Sequence, residues 1–205
     1  MRLWLLLSLF CLAGCAGGTH APWTQEARQS HRWGYYSGPI DTRWTADGRT
    51  MILLSELRYT DPNGIVWVAP AGARVDGASI PRAFWSFMGG PFEGRYRAAS
   101  VLHDVSYDAR SRPWQECDRM FYNAMRCSGV SATEAKTMYY ALYRFGRHWK
   151  FHAQMAEPLV SPEREEPNVN RKTTVEPSDV DVIQRWIREN DPSLGQIESR
   201  ASAGP

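Results

Sequence analysis

The sequence predicts an α+β fold in which a small antiparallel N-terminal sheet packs against a three-helix core. Three observations carry that prediction. Short apolar, β-branched and aromatic runs, separated by Asp-Gly and Asp-Pro-Asn-Gly turns, occupy residues 33–70. Three segments of helical period, each with its own start and stop signals, follow up to Gly146. Beyond Glu157 the chain becomes polar and proline-rich, so the core is confined to residues 33–156. A chain of 205 residues has room for that one domain and its appendages, since domains most often run to ~100–150 residues.

The chain begins with Arg2 as a minimal positive region and an apolar run from Leu3 to Leu12. That run is shorter than the ~20 residues a spanning helix needs, so residues 1–14 read as a processed signal peptide. Residues 15–32 are small and polar, as suits a flexible tether. A strand near Gly34–Ile40 is expected to pair with a hairpin built from Thr50–Thr60, the turn Asp61-Pro62-Asn63-Gly64 and Ile65–Val68. Asp47-Gly48 supplies a further turn.

Pro81 suits a first helical position, so Pro81–Met88 reads as a short helix ended by Gly89-Gly90. A longer helix follows over about Gly94–Asp108. At ~100° per residue its apolar face is Ala98, Val101, Leu102 and Val105; His103 and Tyr107 share one border, and Asp104 points further outward. The next helix starts at Pro113, with Trp114, Cys117, Phe121, Ala124 and Met125 on one stripe and Asp118 just inside its edge. The third opens on a capping box, Ser131-Ala132-Thr133-Glu134, and carries Ala135, Met138, Tyr139, Leu142 and Phe145. Cys117 and Cys127 on one helix lie ~15 Å apart, too far for a disulfide. In the tail, 157–205, one amphipathic helix is expected at 178–190 with Val180, Ile183, Trp186 and Ile187 on a face, and the last residues are expected to be disordered. Trp186 is the aromatic placed to serve a partner or bilayer surface.

With 24 basic and 22 acidic residues the net charge is +2, which gives no sign of a nucleic-acid partner. Chemistry concentrates between Asp76 and Phe121. Histidine is the side-chain type suited to general-base work near neutral pH, so His103 is the candidate base, and Asp118 is the carboxylate to fix its tautomer. Tyr107, one turn after His103, is placed to hydrogen-bond Asp118. Asp104, pointing away, is placed to hold a hard cation with carbonyls of a glycine-rich loop containing Gly89 and Gly90. Asp76 and Ser79 form a second candidate site. Blander readings stay open: Asp118 satisfied by Arg95 or Arg97, and Asp76 or Ser79 capping the short helix. Ser79 as a nucleophile lacks the strand and helix context of a nucleophile elbow. His148 and His152 have the spacing of a metal pair, but with no third ligand they read as exposed histidines.

Three resemblances extend this reading. Leu12-Ala13-Gly14-Cys15 resembles the lipobox of bacterial lipoproteins, which implies lipidation of Cys15, a membrane anchor and, with Ala16 next, the outer membrane of a Gram-negative envelope facing the periplasm. His103-Asp104-Val105-Ser106-Tyr107 with Cys117-Asp118-Arg119-Met120-Phe121 resembles the phospholipase A(2) superfamily, implying His103 as water-activating base, Asp118 as its orienting partner and calcium on Asp104. Residues from about Tyr59 to Trp149 resemble an uncharacterised domain family of bacteriophages and prophages, marked by Asp76-Gly77-Ala78-Ser79-Ile80-Pro81, Gly89 to Phe92, His103 to Tyr107 and Asp118 to Phe121. Two functions are therefore expected: a calcium-dependent phospholipid hydrolase, or a non-catalytic envelope lipoprotein that binds a protein or surface partner.

Overall fold

The computed structural model describes residues 31–77, 84, 89–90, 92–151 and 177–203. Six short strands come first: β1 (Tyr35–Tyr36), β2 (Thr42–Trp44), β3 (Met51–Leu53), β4 (Leu57–Thr60), β5 (Val66–Ala69) and β6 (Arg74–Val75). Among the described residues five helices follow: α1 (Arg97–Ala109), α2 (Trp114–Cys127), α3 (Ala132–Phe145), α4 (Pro177–Asn190) and α5 (Leu194–Ala203), with a 3-10 turn, Gly94–Tyr96, leading into α1. The α+β class is as the sequence predicts.

The one expected sheet is two. Strands order β1-β4-β5 in one and β2-β3-β6 in the other, every neighbouring pair antiparallel. The run Thr50–Thr60 is not continuous, because its inward alternation of Met51, Leu53, Leu57 and Tyr59 is interrupted at exposed Ser55. Without an apolar side chain there, nothing holds the middle of the run on the core, and its halves join different sheets. The first strand does pair with the hairpin, Tyr35 opposite Thr60 and Tyr36 opposite Tyr59. Gly34 makes that approach feasible: its φ is +78°, and a Cβ there would lie 2.1 Å from the Thr60 carbonyl oxygen.

The first sheet rests on the C-terminal half of α2. Tyr36 Oη donates to the Ala124 carbonyl at 3.0 Å, Cys127 Sγ donates to the Gly34 carbonyl at 3.3 Å, and Trp33 meets Tyr122 edge to face. Such capture of the phenol and thiol matters because a buried polar atom left unpaired is costly. Helix α2 is thus enclosed by α1, α3 and the sheet, and from Cys117 onward only Arg119 and Arg126 are not buried. Cys117 and Cys127 are both buried and free, consistent with their expected separation along one helix. The capping box forms as read, with Ser131 Oγ accepting from the Glu134 amide at 3.2 Å.

The C-terminal end departs from expectation. Where disorder was expected, Leu194–Ala203 forms α5 and buries Ile197 and Ala201, and α4 and α5 both pack on α3. The sequence pattern is weak here because only two apolar residues face inward. Polar side chains do the rest: Lys136 Nζ bonds Asp191 at 2.5 Å, Tyr139 Oη donates to Glu198 at 2.7 Å, and Arg144 donates to the Ala201 carbonyl at 2.9 Å. Trp186 is half-buried, with the Arg200 guanidinium 4.4 Å from its ring centre.

Candidate functional site

Helix α1 buries Ser100, His103, Asp104 and Tyr107 together with Ala99, Val101 and Leu102, while Ala98 and Val105 are only partly covered. Its buried face is therefore rotated towards the polar border from the one its apolar residues alone mark out. The cause is tertiary: β5, β6 and α2 all pack on α1, and between them they enclose the flank that a helical projection leaves open.

On that flank three groups predicted from sequence come together. His103 Nε2 donates to Asp118 Oδ1 at 3.0 Å, and Tyr107 Oη donates to the same oxygen at 2.5 Å. His103 and Asp118 are 0% exposed and Tyr107 is 1% exposed. The roles follow from the chemistry of the acceptor: an ionised carboxylate only accepts, so the neutral imidazole carries its proton on Nε2 and its lone pair on Nδ1. The His103 and Tyr107 rings lie 4.0 Å apart between centres, and Phe121 flanks the imidazole at 4.9 Å, which holds its rotamer. Burial, and then the adjacent Asp118 charge, push the Tyr107 phenol well above its ordinary range, so it stays a donor. The same two causes push the Cys117 thiol up to about 12, which makes it inert packing. Arg95 and Arg97 are not the partners of Asp118; they donate to the carbonyls of Gly129 and Phe92.

Asp104 corrects the sequence reading. It is buried, with Oδ2 accepting from the Gly77 amide at 2.7 Å, because the turn after β6 closes over it. Gly77 follows exposed Asp76, so this part of the Asp-Gly-Ala-Ser segment is tied to α1 through a backbone bond. Ser79, the expected short helix Pro81–Met88 apart from Phe84, residues 1–30 with Cys15, and His152 all lie outside the described residues. Gly90 is committed otherwise than expected: its carbonyl accepts from Tyr96 Oη at 2.7 Å and from the Glu93 amide at 3.0 Å. Gly89 has φ +83°, with Glu93 directly against the place of a Cβ. A calcium ion takes 6–8 oxygen ligands. Among the described residues no group of three or more His, Cys, Asp or Glu side chains converges, so any such ion would draw most of its ligands from backbone carbonyls and water.

A neighbour that sequence reasoning missed is the segment after α3. Gly146 ends that helix so close to α1 that a Cβ would lie 3.2 Å from Tyr107 Oη and 2.4 Å from the Leu142 carbonyl. The Arg147 guanidinium stands 6.0 Å from the Tyr107 ring centre, and Trp149 meets that ring edge-on at 5.0 Å. His148, expected to be exposed, is half-buried and stacked on Trp114, one turn before Asp118, at 3.6 Å. No sequence signal fixes this, since a chain leaving a helix has no period. A cleft of about 320 Å³ lined by Arg95, Tyr96, Ser131 and Glu134 contains none of the His103, Asp104, Tyr107 and Asp118 side chains.

Comparison with known proteins gives similarity to an uncharacterised family over part of the chain, and no activity. Residues 51–142 match the model described as "Protein of unknown function (DUF1353)". The chain is 43% identical over 136 residues to "Uncharacterized protein y4jT" of Sinorhizobium fredii, covering 65% of this chain and 40% of that protein. It is 38% identical over 105 residues to "Uncharacterized protein y4iH" of the same organism, covering 51% of this chain and 44% of the relative. The matches thus span about two fifths of the length of these curated relatives. No solved structure matches significantly. An uncharacterised domain family is what the sequence motifs led us to expect, and the matched segment contains His103, Asp104, Tyr107 and Asp118.

Proposed function

We propose that this chain is a lipid-anchored hydrolase of the cell envelope, of phage or prophage type, acting on phospholipid esters. The observation that supports it is the single carboxylate oxygen of Asp118 holding both His103 Nε2 and Tyr107 Oη in a fully buried setting. In this reading His103 Nδ1 removes a proton from water as its oxygen bonds the ester carbonyl carbon. The imidazolium so formed is stabilised by Asp118, and the proton passes to the leaving alkoxide as the ester bond breaks. Tyr107 keeps the carboxylate aimed at Nε2. On the phospholipase A(2) resemblance Asp104 would be the carboxylate this chain contributes to a bound calcium ion, whose chemistry would be to stabilise negative charge developing on the ester. Anchoring through Cys15 would place the domain at its substrate; no helix among the described residues is long and apolar enough to cross a membrane.

The test is fatty-acid release from mixed phospholipid vesicles by a form starting after Cys15, with and without calcium, beside His103→Gln. Release that the folded mutant loses supports the reading, and absence of release from folded wild type rejects it. A second reading is favoured by the 0% exposure of His103 and Asp118: a non-catalytic envelope lipoprotein in which the His-Asp-Tyr group fastens α1 to α2 and the surface binds a protein partner. That reading predicts no release and a loss of stability in the same mutant.

A further inference from the structure

Among the described residues, the polar group at the centre of the fold leaves two buried atoms without a hydrogen-bond partner. Asp118 uses Oδ1 twice, whereas its Oδ2 is buried without a hydrogen-bond partner among the described residues. His148 Nε2 is a second buried atom in the same condition. Both belong to one neighbourhood: His148 stacks on Trp114 at 3.6 Å with rings 12° from parallel, and Trp114 is one helical turn before Asp118. The Asp118 charge is near enough to favour protonation of His148, although burial outweighs it and holds the imidazole below its ordinary value.

The tautomer of His148 decides what can lie between the two atoms. With the proton on Nδ1, the tautomer the proposal takes, Nε2 is left with a lone pair, as Asp118 Oδ2 is left with its own. Two buried acceptors cannot satisfy each other, and an unsatisfied carboxylate oxygen is costly. A water molecule has the two donors that such a pair requires, and buried waters typically make ~3 hydrogen bonds to groups of this kind.

We propose that Asp118 Oδ2 and His148 Nε2 hold one ordered water between them, making His148 a positioning residue for the His103–Asp118 pair. The water extends the polar chain from His103 through Asp118 to the segment after α3, and holds the carboxylate by the oxygen that His103 does not use. Other ionisable groups around this point are Tyr107, Cys117, Tyr143 and Arg147, and Tyr107 is already committed to Oδ1. Only the positioning role rests on the hydrolase reading; the water site does not.

The test is histidine side-chain nitrogen NMR on the full chain in detergent, with His148→Asn and His148→Gln. Both variants lose the ring stacked on Trp114. Asn keeps a donor near the Nδ1 position and nothing at Nε2, whereas Gln restores a polar atom at Nε2. Wild-type His148 is expected as the neutral Nδ1–H tautomer. In His148→Asn the Tyr107 hydroxyl proton is expected to exchange with solvent about tenfold faster and the His103 ring signals to move, as loss of one net hydrogen bond predicts, and Gln is expected to reverse both. A wild-type Nε2–H tautomer, or Asn and Gln variants that behave alike, overturns the proposal. Fatty-acid release run in parallel separates the two ideas: its absence in wild type removes the hydrolase reading and leaves the NMR outcome standing.

Discussion

Tyr107→Phe isolates one bond at the centre of this molecule. The phenylalanine ring keeps the contacts with His103 at 4.0 Å and Trp149 at 5.0 Å and removes only the hydroxyl that donates to Asp118 Oδ1 at 2.5 Å. No cavity larger than one oxygen is created, so the transfer and cavity terms of a core truncation are small. A hydrogen bond to a charged group is worth about 1.5–3 kcal/mol net, and a fully buried carboxylate belongs at the upper part of that range, since water cannot replace the lost donor. For a chain of this size each kcal/mol shifts Tm by about 2–4 °C, so the expected fall is roughly 3–12 °C. The assay is urea unfolding of the form starting after Cys15, followed by tryptophan fluorescence, with a thermal scan by circular dichroism. An unchanged urea slope with a lower midpoint would confine the effect to stability. A loss below about 0.5 kcal/mol would refute the reasoning, because it would mean that Asp118 does not depend on the phenol for its satisfaction.

Four further outcomes are expected. Ile197→Ala should cost about 2–5 kcal/mol in the urea assay, because Ile197 is 0% exposed in α5; a near-neutral result would mean that the C-terminal helices do not contribute to the folded core. Gly146→Ala should destabilise and perturb Tyr107 fluorescence or NMR signals, since the new Cβ would press on the Leu142 carbonyl and Tyr107 Oη. Burial depresses the His148 pKa, so the unfolded chain binds the extra proton first. Stability should therefore fall as pH drops from about 6.5, and His148→Phe should flatten that fall between pH 7.5 and 5.5. If calcium binds at Asp104, added calcium raises Tm and Asp104→Asn abolishes the rise while also losing a carboxylate acceptor for the Gly77 amide; an equal Tm with and without calcium removes the metal from the proposal.

The helices were legible because their signals are local. The capping box at Ser131, Pro113 before α2 and the apolar period of α3 each act within one or two turns, and the structure places all three helices within a few residues of where those signals put them. The meeting of His103, Tyr107 and Asp118 was legible for a related reason. A carboxylate set into the apolar stripe of one helix needs a donor, and the His-Tyr border one helix earlier was the donor pair within reach.

What the sequence could not decide was set by neighbours distant in the chain. Ser55 splits one apparent strand between two sheets because continuity depends on what lies beneath it. Asp104 turned from an outward carboxylate into a buried one because the turn at Gly77, 27 residues earlier, donates to it. His148 moved from an exposed side chain to the edge of the central polar group, and α5 from disorder to a docked helix, by the same kind of long-range contact. Period, propensity and capping are properties of adjacent residues, so the sequence alone determined the class, the three core helices and the burial of Asp118. Burial is a property of whatever packs on a face, so only the tertiary structure determined which other polar groups are enclosed and with what.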